Sequence, residues 1–471
     1  MDIINSMITI TAKKIIALSK EWNNKEGKQK MKRILASFLT LTMVSALAAC
    51  TPNTGTTTAG GTTTGTTTAG GSTTTPSGGE AGDIKIGFIA LHDTNSGYDA
   101  AHLAGIQTAA EELGIDTASQ IIFKYNIPED ETAYDTAVDL AEQDCDIIFS
   151  NSYGHQMHMQ RAAEEYPEIT FVASTGDLAA NSGLANLKNI FPYTYESRYV
   201  SGVVAGMKLK ELMDAGTVTD PYVGYVGAYP YAEVVSGYTA FLLGIQSIVP
   251  EAHMDVQYTN SWYDPVAEGE AANALIARGA VIIGQHADST GAPSAVQAAL
   301  QSGKVNYSVG YNIDMRSVAP DAALTSAQNN WSVLYKATLE SFTAGDVPAD
   351  FAAGAKDEAV MISELGVNVA EGTQAAVDEA WAGLKAGTLK VFDTTKFTVK
   401  KDYDAQVGAG NTPAYQIDEA GKVTSAFALD SNGDFVNDTG EAIVDGAFVE
   451  SVLRSAPYFS LRIDSIDELN N

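Results

Sequence analysis

Residues 84–114 read IKIGFIALHDTNSGYDAAHLAGIQTAAEELG: a β-rich apolar run, a polar loop, and a helical pattern stopped by Gly114. The run predicts a strand over 84–91 and the pattern a helix over 100–113. Working outward, the rhythm repeats. Strands are expected at 121–125, 146–149 and 169–173, separated by helices over 132–143 and 155–166. After a helix over 196–212 comes a second round, with strands 222–227, 254–258, 280–284 and 305–310 alternating with helices 233–248, 265–278 and 293–301. Such alternation implies parallel sheets covered by helices on both faces. Two rounds imply two α/β lobes, 83–195 with 326–365 and 196–325 with 366–471. Helices near 331–342 and 373–385 serve as crossover and lobe completion, and the turn-rich stretch 400–447 is expected to form peripheral hairpins.

The 471 residues exceed one ordinary domain, which agrees with two lobes plus targeting sequence. Four basic residues over 28–33 precede an apolar run, 34–47, and small residues before Cys50. That run is shorter than the ~20 residues a membrane-spanning helix needs, so residues 1–49 read as a secretory signal, with Met31 as an alternative start. Leu47-Ala48-Ala49-Cys50 resembles the bacterial lipobox, which implies lipidation of Cys50 and a chain anchored on the extracytoplasmic face of the cell membrane. The Thr/Gly tract that follows, within 50–82, holds too few apolar side chains to fold and reads as a tether. The formal net charge is −30, and nucleic acid is excluded as a partner on that ground. Cys145 is expected as a core packer, since with Cys50 lipidated it has no disulfide partner.

In open α/β sheets, ligands bind outside the carboxyl ends of the strands. The first such loop offers Asn95 and Tyr98, and the third offers Ser152 and Tyr153. The second round offers Tyr229 and Tyr231, Trp262, His286 with Asp288, and Tyr311, Asn312 and Asp314. Loops 91–99, 150–158, 228–233, 259–264 and 285–291 contain no Lys or Arg. A buried carboxylate or phosphate guest would need a guanidinium or ammonium to offset desolvation. The expected guest is therefore neutral or donor-rich, and aromatic faces beside carboxylates suit a nitrogenous heterocycle.

Several segments resemble the basic membrane protein family of ABC-transporter solute-binding lipoproteins. They include Ser152-Tyr153-Gly154, 195–206, Pro230-Tyr231-Ala232-Glu233-Val234, Ser261-Trp262-Tyr263-Asp264-Pro265, Gln285-His286-Ala287-Asp288-Ser289 and Gly310-Tyr311-Asn312-Ile313-Asp314-Met315. The resemblance spans roughly 84–335 and is strongest to the branch associated with free purine bases such as adenine. It implies a type I periplasmic-binding-protein fold, α/β, with two doubly wound parallel-sheet lobes joined by a hinge. It also implies capture of a purine base or nucleoside, delivery to an ABC permease, no cofactor and no catalysis, and a monomer is expected. Carried over by position, Tyr98 and Tyr153 contact the ligand from the first lobe and Glu233 and Trp262 face them. His286, Asp288 and Asp314 complete the polar edge. Glu196-Ser197-Arg198 is expected to make an interlobe or helix-start interaction.

Two other readings stand beside this one: a nucleoside receptor of the same fold, and a lipoprotein hydrolase acting on nucleosides. A sensor that passes its closed state to a membrane receptor is a third. No Walker A loop, paired-His metal motif, nucleophile elbow or complete dinucleotide fingerprint is present. Asp430, Asn432, Asp434 and Glu441 have calcium-loop spacing, but Phe435 stands where the sharp turn requires Gly, which favours a hairpin turn.

Overall fold

A computed structural model describes residues 84–469, apart from 401–411, 414, 430–435, 438 and 460. The expected signal (1–49), Cys50 and the tether lie outside the described residues, as do Asp430, Asn432 and Asp434.

The opening stretch folds as read. Strand β1 (Ile86–Ile89) is fully buried, and helix α1 (Gly97–Glu112) begins at Ser96, whose side chain accepts from the Asp99 amide. Beyond them, β2 (Ile121–Lys124), β3 (Ile147–Ser150), β4 (Thr170–Ser174) and β5 (Leu187–Pro192) alternate with α2 (Glu131–Glu142), α3 (Gln156–Glu165) and the short α4 (Ala179–Ser182). A long helix, α5 (Thr194–Asp214), then opens the second round. It contains β6 (Tyr222–Gly227), β7 (His253–Tyr258), β8 (Ile282–His286), β9 (Tyr307–Tyr311) and β10 (Ala323–Asn329), with α6 (Ala232–Gln246), α7 (Pro265–Arg278) and α8 (Gly291–Gln301) between them. Helix α7 shows why the boundaries were legible. Asp264 caps the Val266 and Ala267 amides, Pro265 occupies the first turn, and Gly279 takes the left-handed stop at φ 112°.

The first sheet has the order β11-β5-β4-β3-β1-β2, where β11 is Asp350–Ala353, and all its pairings are parallel. The second has the order β12-β10-β9-β8-β6-β7-β13. Here β12 (Val360–Ile362) runs antiparallel to β10, and β13 (Ile466–Leu469) adds a parallel edge to β7. The sheets narrow the return to the first lobe expected over 326–365. Only α9 (Trp331–Ala344) and β11 go back, because β10 and β12 pair within the second sheet. The chain thus crosses between lobes three times: from β5 into α5, from β10 into α9, and between β11 and β12.

Helices α5 and α6 pack so closely that a Cβ on Gly202 would collide with the Phe241 carbonyl, and one on Gly244 with the Tyr199 carbonyl. Two glycines facing each other are what let the backbones touch. The last helix, α10 (Thr373–Ala386), also joins this lobe.

Within 400–447 the expected antiparallel strands form, over Tyr415–Ile417, Val423–Leu429 and Thr439–Glu441, although Val423, Ala426, Ala428 and Ala442 bury one face in the second lobe's core. On either side of that stretch, Phe392, Phe397, Phe448, Tyr458 and Phe459 are buried in the same core, with the Phe392 and Phe459 rings stacked 4.1 Å apart. Cys145 is buried in the first lobe, as expected of a packer, and burial raises its thiol to about 11. Among the described residues no helix is long and apolar enough to cross a membrane, and no group of three metal-ligating side chains occurs.

Candidate ligand-binding site between the lobes

The carboxyl ends of both sheets face one cleft, and their loops meet across it. The Gly97 amide at the start of α1 donates to the Asp288 carbonyl of the second lobe at 3.2 Å, while the Tyr153 and Tyr231 rings stand 5.9 Å apart. These contacts describe a closed cleft.

Between them lies a small cavity of about 20 Å³. Tyr98, Ser152 and Tyr153 line it from the first lobe, and Glu233, Trp262 and Asp288 from the second. Six of the ten residues singled out in the sequence are thereby brought together. Tyr98 is placed by a buried network: Asp99 accepts from the His92 and Asn151 amide groups, and the Tyr98 hydroxyl donates to the Asn151 carbonyl. With its hydroxyl spent, Tyr98 offers ring surface. Ser152 donates to Glu129, and Trp262 leans on Tyr229 at 5.2 Å.

Two expected contacts stand one layer back. His286 is buried behind Glu233, with Nε2 3.2 Å from Oε1, and Asn312 donates to Asp288 Oδ1 at 2.9 Å. Both orient a carboxyl that lines the cavity. The other two lie elsewhere. Asn95 is exposed and bonds to Asp93, because Asx-type turn geometry folds its side chain back on the loop. Asp314 caps its own turn and forms a forked pair with Arg316, which keeps its carboxylate outside the cavity and holds it below the usual range.

The electrostatics favour uncharged carboxyls. Burial raises Glu233 to about 7, although the Arg198 guanidinium pulls it the other way. Burial raises Asp288 well above the usual carboxylate range, and the neighbouring charges of Asp99, Glu268 and Glu233 add to the effect. His286 is held well below its ordinary value by burial and then by Arg198, so it faces Glu233 as a neutral ring. A protonated carboxyl presents one donor and one acceptor side by side. That edge matches a ring nitrogen next to an N–H. Arg198 is buried over the Tyr311 ring at 3.7 Å and donates to the Gln285 carbonyl. Glu196, in the first turn of α5, instead accepts from the Ala355 amide, where the chain has crossed from β11 into the second lobe.

Tyr311, offered by its strand end, also lines the cavity. Sequence reasoning missed three lining residues. Leu91 borders the cavity. Thr175 lines both this cavity and an adjoining one of about 30 Å³. Its backbone sits at φ 116°, a strained region for a β-branched residue, costing about 1–3 kcal/mol. Its buried Oγ1 has no partner. A search of the loop after β4 would have found it. Arg454, from the tail, lines the adjoining pocket with Asp177 and Tyr231; nothing in its local sequence marked it. Of the calcium-spaced residues, Glu441 is described, and it accepts from Ser425, Ala426 and Ile443 within the hairpin.

Comparison with known proteins agrees with this geometry. Solute-binding proteins of ABC transporters from Conexibacter woesei and Aeropyrum pernix superpose with TM-scores of 0.52 and 0.54 at 22% and 17% identity. They cover 65% and 68% of this chain, and 98% and 95% of theirs. They establish the type I periplasmic-binding-protein fold. A purine-binding protein of Brucella abortus is 30% identical over 314 residues, 66% of this chain and 83% of that one. A putative ABC transporter glucose-binding protein of Haloferax volcanii is 36% identical over 232 residues, 49% of this chain, and the match spans only 55% of the relative's length. Residues 90–385 match the family described as ABC transporter substrate-binding protein, PnrA-like, and the chain belongs to that family.

Proposed function

We propose that this protein captures a purine through its base in the closed cleft and presents it to an ABC permease, without breaking a bond. In this reading it works outside the cytoplasm, tethered by lipid on Cys50. The observation that carries the reading is the shared cavity: Tyr98 and Trp262 come from opposite lobes, with Glu233 and Asp288 buried as near-neutral carboxyls beside them. Aromatic faces grip the plane of the base, and the carboxyls read its nitrogen edge. The relative named for purine binding supports this choice of guest. Hinge closure over the guest produces the state a permease recognises.

Calorimetry tests it directly. Adenine, the base favoured by the sequence resemblance, should bind with adenosine, guanine and glucose as comparison ligands. Heat with glucose alone would replace the purine reading with a sugar one, and chromatography after incubation with adenosine should recover it intact.

A further inference from the structure

Behind the cavity wall, Arg198 of α5 and His286 at the end of β8 are both buried, and they stand in line with Glu233 in the first turn of α6. His286 Nε2 is 3.2 Å from Glu233 Oε1. The imidazole lies 4.7 Å from the Tyr311 ring, and the Arg198 guanidinium sits 3.7 Å over that same ring. A Cβ on Gly237 of α6 would come within 2.7 Å of His286 Nδ1 and 3.5 Å of Arg198 Nε, so these two nitrogens converge on one spot. Among the described residues, neither has a hydrogen-bond partner, while Arg198 Nη1 donates to the Gln285 carbonyl.

A guanidinium is a permanent cation that can only donate. Burial, and then the charge of Arg198, keep His286 neutral, so one ring nitrogen carries a proton and the other a lone pair. The guanidinium attracts a lone pair and repels an N–H, and a low-dielectric interior strengthens both effects. The proton therefore resides on Nε2, which donates to Glu233 Oε1. An oxygen that accepts from this N–H leaves the carboxyl proton, retained through burial, to Oε2. The carboxyl then meets a guest with a donor at Oε2 and the second lone pair of Oε1 beside it. With the imidazole reversed, Oε1 would have to donate to a bare Nε2, and Oε2 would become an acceptor.

We propose that Arg198 is a positioning residue for ligand choice: it fixes the proton of His286 on Nε2, makes Glu233 Oε2 a donor toward the cavity, and so selects a base with an unprotonated ring nitrogen at that edge. The inference rests on the purine reading and deepens it by naming the group that sets the polarity of the edge. Adenine carries a ring-nitrogen acceptor beside its amino group, whereas hypoxanthine carries a ring N–H beside a carbonyl.

Magnetic resonance of isotope-labelled imidazole nitrogens reads the tautomer, with His286→Gln assigning the signal by its loss, and calorimetry reads adenine against hypoxanthine. The unaltered chain should hold His286 with its proton on Nε2 and favour adenine by about tenfold, the effect of one mismatched hydrogen bond. Arg198→Met, checked for an intact melting transition, should spread the proton over both nitrogens and bring the ratio toward one. Arg198→Lys, which restores a cation, should return both readouts toward those of the unaltered chain. A proton on Nδ1 in the unaltered chain overturns the inference, with or without the variants. So does adenine bound no more tightly than hypoxanthine, or a tautomer or ratio unchanged in folded Arg198→Met. In each of these cases purine capture stands. If neither base binds, the purine reading fails and takes the inference with it.

Discussion

The pocket between Tyr98 and Trp262 and the pocket under Arg454 share Tyr153, Thr175 and Glu233, but the rest of their walls come from different parts of the chain. The first is built by loops that follow strands, where any doubly wound sheet places its ligand. The second needs a tail that leaves the lobes after α10, passes through the second lobe's core and returns to the cleft. Loops at strand ends can vary one at a time without disturbing the sheet. The tail cannot, because the aromatic residues that anchor it are core residues.

That difference can be broken most forcefully at Phe459. It is fully buried against Phe392 and Phe448, so Phe459→Ala should cost roughly 3–5 kcal/mol. A tail integral to the lobe would show one cooperative melt displaced downward. Two separate transitions would mean that it is an appendage. Next comes Trp262→Ala, which removes a face of the loop-built pocket. It should weaken purine binding by about 1–3 kcal/mol, whereas an unchanged affinity would take Trp262 out of the loop-built pocket's grip.

The carboxyls supply a third contrast, in pH. Glu233 is raised from 4.5 to about 7, so the fold holds a proton that the unfolded chain releases between those values. Its contribution to stability is complete below about pH 4.5 and lost as pH rises through about 7. Glu196 and Glu268 are raised to the same level. The melting temperature of the unliganded protein should therefore fall between pH 5 and 8, with a shallower slope in Glu233→Gln. A profile that climbed over this interval would show the carboxyls ionised and paired instead. The smallest expected effect is at the shared wall. Thr175→Gly relieves the φ 116° backbone and should raise stability by about 1 kcal/mol or less while weakening binding. If the glycine variant were no more stable, the strain would be absorbed elsewhere.

The fold was legible because its signals are local. Asp264-Pro265 and Gly279 mark both ends of one helix, and short apolar runs mark the strands. The lobe boundary after 326 was not, because β10 and β12 are assigned by pairing partners far away in sequence. The first pocket could be anticipated from strand-end loops, although the same loops also supply residues that turn back on themselves, as Asn95 and Asp314 do. His286 and Asn312 look alike from the sequence whether they touch a guest or steady a carboxyl that does. Arg454 was hidden for another reason. Its position depends on where Phe392, Phe448 and Phe459 pack, and no local pattern carries that information.

The tail also touches the far lobe. Ser455 donates through both its amide and its hydroxyl to Asp350 on β11, at 3.0 and 2.7 Å. The three backbone crossings are thus joined by a noncovalent tie at β11, rooted in one lobe and fastened to the other. Any swing that unseats a guest has to stretch or part that tie, so residence time becomes a property of a serine and an aspartate that need never meet the guest.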